Sequence, residues 1–165
     1  MADTGSAVSR LPHSLGDAVR CFQTLPAPAE LPVGLFHAEL YGPALFQRFA
    51  RIGLAIGGLP RWQGKRFRAD GSGINLIEDA AGATVERLAM QLSLATSPHD
   101  GRGVVRVGYD SSAHWPWPAV VDELRPFDDR HWLGMARTDW SLTRGLALLR
   151  LPFLLVRDDS GRQSE

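Results

Sequence analysis

The sequence predicts a mainly β protein, a closed antiparallel barrel preceded by helical segments, and three observations carry that expectation. From Trp62 onward the apolar runs are short and bounded by turn chemistry at Ala69-Asp70-Gly71-Ser72-Gly73, Asp79-Ala80-Ala81-Gly82 and Pro98-His99-Asp100-Gly101-Arg102. In the clearest run Leu88, Met90, Leu92 and Leu94 alternate with Ala89, Gln91 and Ser93, which makes one face apolar. Roughly seven or more such strands favour closure, because a barrel leaves no exposed edge.

Taken in order, Ser14 is placed to cap a helix and Asp17 to lie in its positive first turn, followed by Leu15, Val19 and Phe22 at helical spacing. Pro26, Pro28 and Pro32 stiffen the connection to a first strand over 33–40. Leu45, Phe46, Phe49, Ile52 and Ile56 then fit a helix with Pro43 in its first turn, ended by Gly57-Gly58. Pro60 starts a new strand at Trp62, in the basic and aromatic stretch Trp62-Gln63-Gly64-Lys65-Arg66-Phe67. Lys65 and Arg66 are neighbours, so one of them faces inward or lies against an edge. Val105 and Val107 continue the meander. Pro116 and Pro118 push the next strand to a start at Val120, running to Arg125, and Asp128-Asp129 turns the chain into a strand from His131 to Arg137. The stretch from Ser141 to Leu149 reads as a loop or a short helix, and the last strand runs from Phe153 to Arg157. The expected organisation is a polar tail over 1–12, one domain over 13–157 and a mobile tail over 158–165.

Composition narrows the function classes. Eighteen basic residues balance eighteen acidic ones, so no global field attracts nucleic acid or an anionic membrane. The single cysteine, Cys21, excludes an internal disulfide framework and reads as a packed small hydrophobe. Residues 1–10 lack the apolar run of a secretory signal, and no stretch reaches the ~20 apolar residues of a membrane span. A cytoplasmic protein is the expectation. The five histidines, His13, His37, His99, His114 and His131, show no metal-ligand spacing, and no phosphate loop or nucleophile elbow is present.

The order of the motifs points to a family. A short helix with Phe22 and Leu25-Pro26 precedes Gly34-Leu35-Phe36-His37-Ala38 and Trp62-Gln63-Gly64-Lys65-Arg66-Phe67. Tyr109-Asp110, Val121-Asp122-Glu123-Leu124-Arg125, Asp128-Asp129, Leu133-Gly134-Met135 and Phe153-Leu154-Leu155-Val156-Arg157 follow. In this order the chain resembles a diverged member of the bacterial GXWXG-type proteins, an uncharacterised group similar to calycin barrels such as lipocalins and nitrobindins. Phe36 and Ala38 stand where the family motif has tryptophan and its second glycine, and Tyr41-Gly42-Pro43 replaces an expected threonine-glycine-histidine triplet. The resemblance implies a calycin-like barrel whose narrow end is closed by Phe36, with Arg157 stacked across the ring and Trp62 in a structural role. Nitrobindin-like barrels carry haem on a single histidine, which makes His114 or His131 the candidate ligand in a low-ranked alternative to no cofactor.

Several residues carry candidate chemistry. On one strand Asp122 and Leu124 share a face, and Glu123 and Arg125 share the other. A carboxylate in the barrel interior acts as an acid or base if its pKa is raised, one at the surface forms an ordinary ion pair, and a third reading ties Asp122 or Glu123 to Lys65 or Arg66 across strands. The leading functional expectation is the binding of a small, largely hydrophobic molecule of lipid, polyketide or terpenoid type. Met90, Trp117, Trp132 and Met135 would line the pocket, and Lys65 and Arg125 would hold an anionic head group. The second is a cyclase or isomerase of the same shape, with Glu123 or Asp122 for proton transfer and Tyr109 assisting. The third is a filled barrel that makes protein contacts, and a homodimer stays open.

Overall fold

The computed structural model describes residues 14–40, 42–138 and 150–159. Helix α1 (Leu15–Thr24) precedes strand β1 (Gly34–Leu40) and helix α2 (Ala44–Ile56), and β2 (Trp62–Phe67), β3 (Ser72–Glu78), β4 (Thr84–Thr96), β5 (Gly103–Tyr109), β6 (Val120–Pro126), β7 (His131–Thr138) and β8 (Leu151–Arg157) follow. These eight strands form a closed antiparallel barrel in sequence order, with β8 pairing back onto β1 from Phe36↔Arg157 to Leu40↔Phe153. Strands that follow one another in the chain are neighbours in the ring, which is the meander that the turn spacing implies; short turns join β2 to β3, β3 to β4, β4 to β5 and β6 to β7. No described helix is long and apolar enough to cross a membrane.

The interior is packed by inward residues of the strands. Phe36, Phe67, Met90, Leu92, Val105, Val107, Leu124, Trp132, Phe153 and Leu155 form one cluster, with Ala38, Trp62 and Tyr109 packed against it. Two register shifts adjust which side chains reach it. The pairing of β2 with β3 slips between Trp62 and Gly64, so Trp62 faces the interior together with Lys65 and Phe67. The pairing of β3 with β4 slips at Leu88, whose φ is +54°. Leu88 is therefore out of step with Met90 and Leu92, which are buried; Leu94 pairs with Val105 beyond the end of the β3 pairing and is exposed.

The helices start and stop for local reasons. Ser14 accepts from the Asp17 amide at 3.1 Å, as an N-cap does. Pro43 is the N-cap of α2 rather than a first-turn residue, and Gly57 is its C-cap. Helix α1 lies on the outer wall, where Ala18, Phe22 and Leu25 pack on Val104, Leu133 and Met135, and Cys21 is half-buried at the margin of that cluster. Helix α2 connects the upper ends of β1 and β2. Its last turn is held by the Trp117 indole, which donates to the Gly57 carbonyl from a 3-10 turn (Trp117–Ala119) that follows the cis Trp115–Pro116 bond. Asp158, which the sequence places in a mobile tail, is bound instead: its amide donates to the Leu35 carbonyl at 2.9 Å and its carboxylate meets His37 at 3.0 Å. The stretch from Ser141 to Leu149, with Trp140, lies outside the described residues, as does the tail over 1–12.

Two glycines are required by close approach. A Cβ on Gly64 would stand 1.9 Å from the Phe36 carbonyl oxygen, and one on Gly134 would stand 2.3 Å from the Phe153 ring. Gly134→Ala is therefore expected to cost about 1–3 kcal/mol by overpacking. Trimming the ring in the same chain with Phe153→Leu should return part of that loss. Urea denaturation of the single and double variants measures the coupling, and strictly additive losses would contradict the contact.

Candidate functional site

At the upper half of the barrel the interior becomes polar. Lys65 on β2 and Asp122 on β6 are both buried and meet at 3.0 Å. In an eight-stranded ring β2 and β6 are opposite each other, so the pair spans the interior. The Lys65 Nζ also donates to the Asn75 Oδ1 at 3.1 Å and lies 2.9 Å from the Tyr109 hydroxyl, which in turn donates to the Asp122 Oδ2 at 2.9 Å. Asn75 Oδ1 accepts a second bond from the Trp62 indole at 3.0 Å, and Asn75 Nδ2 donates to the Leu88 carbonyl at 3.3 Å. The bulge at Leu88 thus supplies the acceptor that completes the amide.

An ammonium has three donors, and three oxygens receive them here. The rings of Trp62, Tyr109 and Phe153 stand 5.4, 5.5 and 5.8 Å from the Lys65 Nζ, and their π faces add to its stabilisation. Burial, followed by the nearby Asp122 charge, pushes the Tyr109 phenol well above its ordinary value, so the hydroxyl stays protonated as a donor. The arrangement can hold a proton on Tyr109 beside a carboxylate, and it can present a closed polar patch to whatever lies above it.

What lies above is a chamber of about 590 Å3 at the barrel mouth. Its walls come from Ala38, Glu39 and Leu40 of β1, Arg51 and Leu54 of α2, Leu59, Arg61 and Trp62 at the start of β2, and Glu78. Arg61 is engaged by Glu78 at 3.6 Å. Trp62 is shared: it lines the chamber and bonds to Asn75 in the cluster below.

The other sequence candidates fall elsewhere. Glu123 and Arg125 point out of the barrel, because Asp122 and Leu124 occupy the inward positions of β6. Arg125 is fully buried beneath α1, where it makes a two-pronged bond to Asp100 at 2.7 and 2.9 Å, donates to the Phe22 carbonyl at 2.9 Å and the Gly103 carbonyl at 3.1 Å, and stacks 4.6 Å from the Phe22 ring. It is a clasp for the helix, not a head-group ligand. The Arg125 hydrogen bonds hold the Asp100 carboxyl below its usual range. Glu123 accepts from the Ser97 hydroxyl at 2.8 Å and from the Arg137 Nε at 3.0 Å. Met135 is buried on the same outer face against α1. Met90 and Trp132 fill the interior, and Trp117 packs with Leu59 and Ile77 at the upper end. Arg157 stands 5.4 Å from the Phe36 ring at the lower end.

The described histidines do not suit a haem. His37 and His131 face outward against Asp158 and Asp128, His99 borders the Glu123 cluster, and His114 is exposed in a loop. An axial ligand must reach into the interior, and none of these does. Among the described residues no three His, Cys, Asp or Glu side chains gather as a metal site.

Asn75 escaped the sequence reading. Its signal is a lone amide inside Ile74-Asn75-Leu76-Ile77, since a polar side chain in an apolar strand implies a buried partner. Asp100 and Gly134 gave no such local sign, because their partners are distant in the chain.

Two outcomes are expected from the cluster. Lys65→Met leaves the Asp122 charge buried without its partner and should destabilise by about 3–5 kcal/mol, whereas Lys65→Met with Asp122→Leu should recover much of the loss in denaturant titrations. Because the folded-state pKa of Tyr109 is raised, its contribution to stability is complete below the ordinary phenol value of about 10 and is lost as pH rises toward the folded value. Of the two tyrosines, Tyr109 should ionise only as the protein unfolds in alkali. Ultraviolet tyrosinate absorbance follows this, and the step that accompanies unfolding should vanish in Tyr109→Phe.

No family model matches the chain, and no curated protein does. A solved structure of a protein from Thermomonospora curvata is similar to it, with a TM-score of 0.65 and 18% sequence identity over 88% of this chain and 88% of that one. At that identity the likeness is one of fold.

Proposed function

We propose that the protein binds a small, largely hydrophobic molecule at the barrel mouth rather than deep in the interior. The observation that carries this reading is the 590 Å3 chamber, of a size that suits one small ligand. Ala38, Leu40, Leu54, Leu59 and Trp62 provide apolar wall, and Glu39, Arg51, Arg61 and Glu78 add charged groups to the lining. The interior beneath is filled by side chains, and Lys65 has its donors engaged, so a head group is better met by the charged groups of the lining than by Lys65. A lipid, polyketide or terpenoid fits this chemistry. The motif order that resembles the GXWXG-type, calycin-like barrels supports the same class.

A second reading has its own observation. Tyr109, held protonated, touches Asp122 below the chamber floor, which is the pairing of acid and base that an isomerase or cyclase needs. Asp122, not Glu123, would be the carboxylate in that reaction.

Native mass spectra of the freshly purified protein should show an added mass of small-molecule size. Leu54→Trp, which places an indole in the chamber, should weaken binding of a fatty acid or terpenol by about tenfold or more in tryptophan-emission titrations. Unchanged affinity would sink the chamber reading. Tyr109→Phe separates the two functions: binding should persist under both, but turnover of a hydrophobic substrate should fall by about 100-fold or more if Tyr109 is the acid.

A further inference from the structure

The outer face of α2 exposes large apolar side chains. Leu45 is 66% exposed and Ile56 73% exposed, and eleven residues separate them, which is three helical turns and so one face. Leu54 points the other way, toward Leu59 and Trp117. Trp115 is 57% exposed in the loop whose Trp117 indole is bonded to Gly57 at the end of α2, which brings Trp115 to the same end of the molecule as Ile56. Five large apolar side chains are exposed among the described residues, and these three lie on α2 and the β5–β6 loop at the upper end, whereas Val33 and Leu94 lie toward the opposite end. Scattered exposed leucines need no explanation, but a grouped set beside a chamber does.

The charge on this helix is of one sign. Arg48 and Arg51 lie between Ala44 and Ile56, where there is no aspartate or glutamate. Arg48 is one turn from Leu45 and exposed, at the flank of the apolar face, and Arg51 lines the chamber. Apolar residues along a helix face with arginines at its border, and an exposed tryptophan beside them, match the boundary between lipid headgroups and acyl chains. They match a second copy of the same helix less well, since a two-fold contact would set arginines against arginines with no carboxylate from the helix between them.

We propose that α2 and Trp115 dock the barrel mouth onto an anionic lipid surface, with Leu45, Ile56 and Trp115 entering the headgroup region and Arg48 pairing with lipid phosphates or carboxylates. The net charge of the whole chain is zero, so this attraction is local to the mouth and short in range. The chamber opens under the same helix, so a docked barrel would have its mouth at the membrane. The docking stands independently of what the chamber holds.

Flotation of the full chain with vesicles tests it. At low salt the protein should float with vesicles of phosphatidylcholine and phosphatidylserine and remain behind with phosphatidylcholine alone, and high salt should release it. Leu45→Ser with Ile56→Ser should weaken the partition by about tenfold or more, and Arg48→Ala by about fivefold. Circular dichroism and native mass spectra of the same variants check that fold and chamber occupancy are kept. Absence of flotation with anionic vesicles at low salt, or equal flotation with neutral ones, would overturn the proposal. So would a concentration-dependent dimer that the Leu45 and Ile56 substitutions dissociate, since the face would then belong to a second copy.

Discussion

The interior of this barrel is organised by one charged pair that spans it. Lys65 and Asp122 sit on opposite walls of an eight-stranded ring, and each lies out of water. Burying two charges is costly unless their attraction and further hydrogen bonds offset the lost hydration. Asn75 and Tyr109 supply those bonds, from β3 and β5, and Trp62 completes the amide of Asn75. The requirement to satisfy one ammonium therefore sets the side chains of four strands, and the bulges at Gln63 and Leu88 bring Trp62 and the Leu88 carbonyl within reach. A barrel of this size has an interior just wide enough for such bridging.

The pair divides the barrel into two regions with different physics. Below it the interior is apolar and filled, closed at the lower end by Phe36 with Arg157 over its ring. Above it the wall opens into the chamber under α2, with Trp62 as the shared partition. A ligand that entered the lower region would displace packed aromatic rings, whereas one in the chamber meets surface already arranged as a pocket. The outer wall has a second ionic arrangement, in which Arg125 and Asp100 hold the last turn of α1 against β5 and β7. The Phe22 carbonyl lies in the last turn of α1, where it also accepts from the Leu25 amide, and a guanidinium suits that partially negative helix end. Helix α1 is clasped while α2 shows an apolar face, so the two helices serve different ends of the molecule.

Much of the architecture was legible because it depends on local pattern. The turn clusters at 69–73, 79–82 and 98–102 mark three reversals of the meander, Ser14 marks the start of α1, and the prolines before Val120 delay β6. The opposite facing of Asp122 and Glu123 also followed from alternation. The candidate site was legible only in part. Lys65, Asp122, Tyr109 and Trp62 stand out in the sequence, but so do Arg125 and Met135, which belong to the outer face. Alternation states that neighbours face apart; it does not state which face is inside when both are buried, and on β6 and β7 both are.

What this sequence determined by itself is the succession of helix, strand, helix and meander, since caps, turns and periodicity act over a few residues. Tertiary structure decided which charges are interior, which glycines are indispensable and where a cavity remains. Each of these depends on residues apart in the chain: Lys65 with Asp122, Gly134 with Phe153, and Ala38, Leu54 and Glu78 around the chamber. Closure of the barrel brings those partners together, and only then does the physical chemistry of burial assign them their roles.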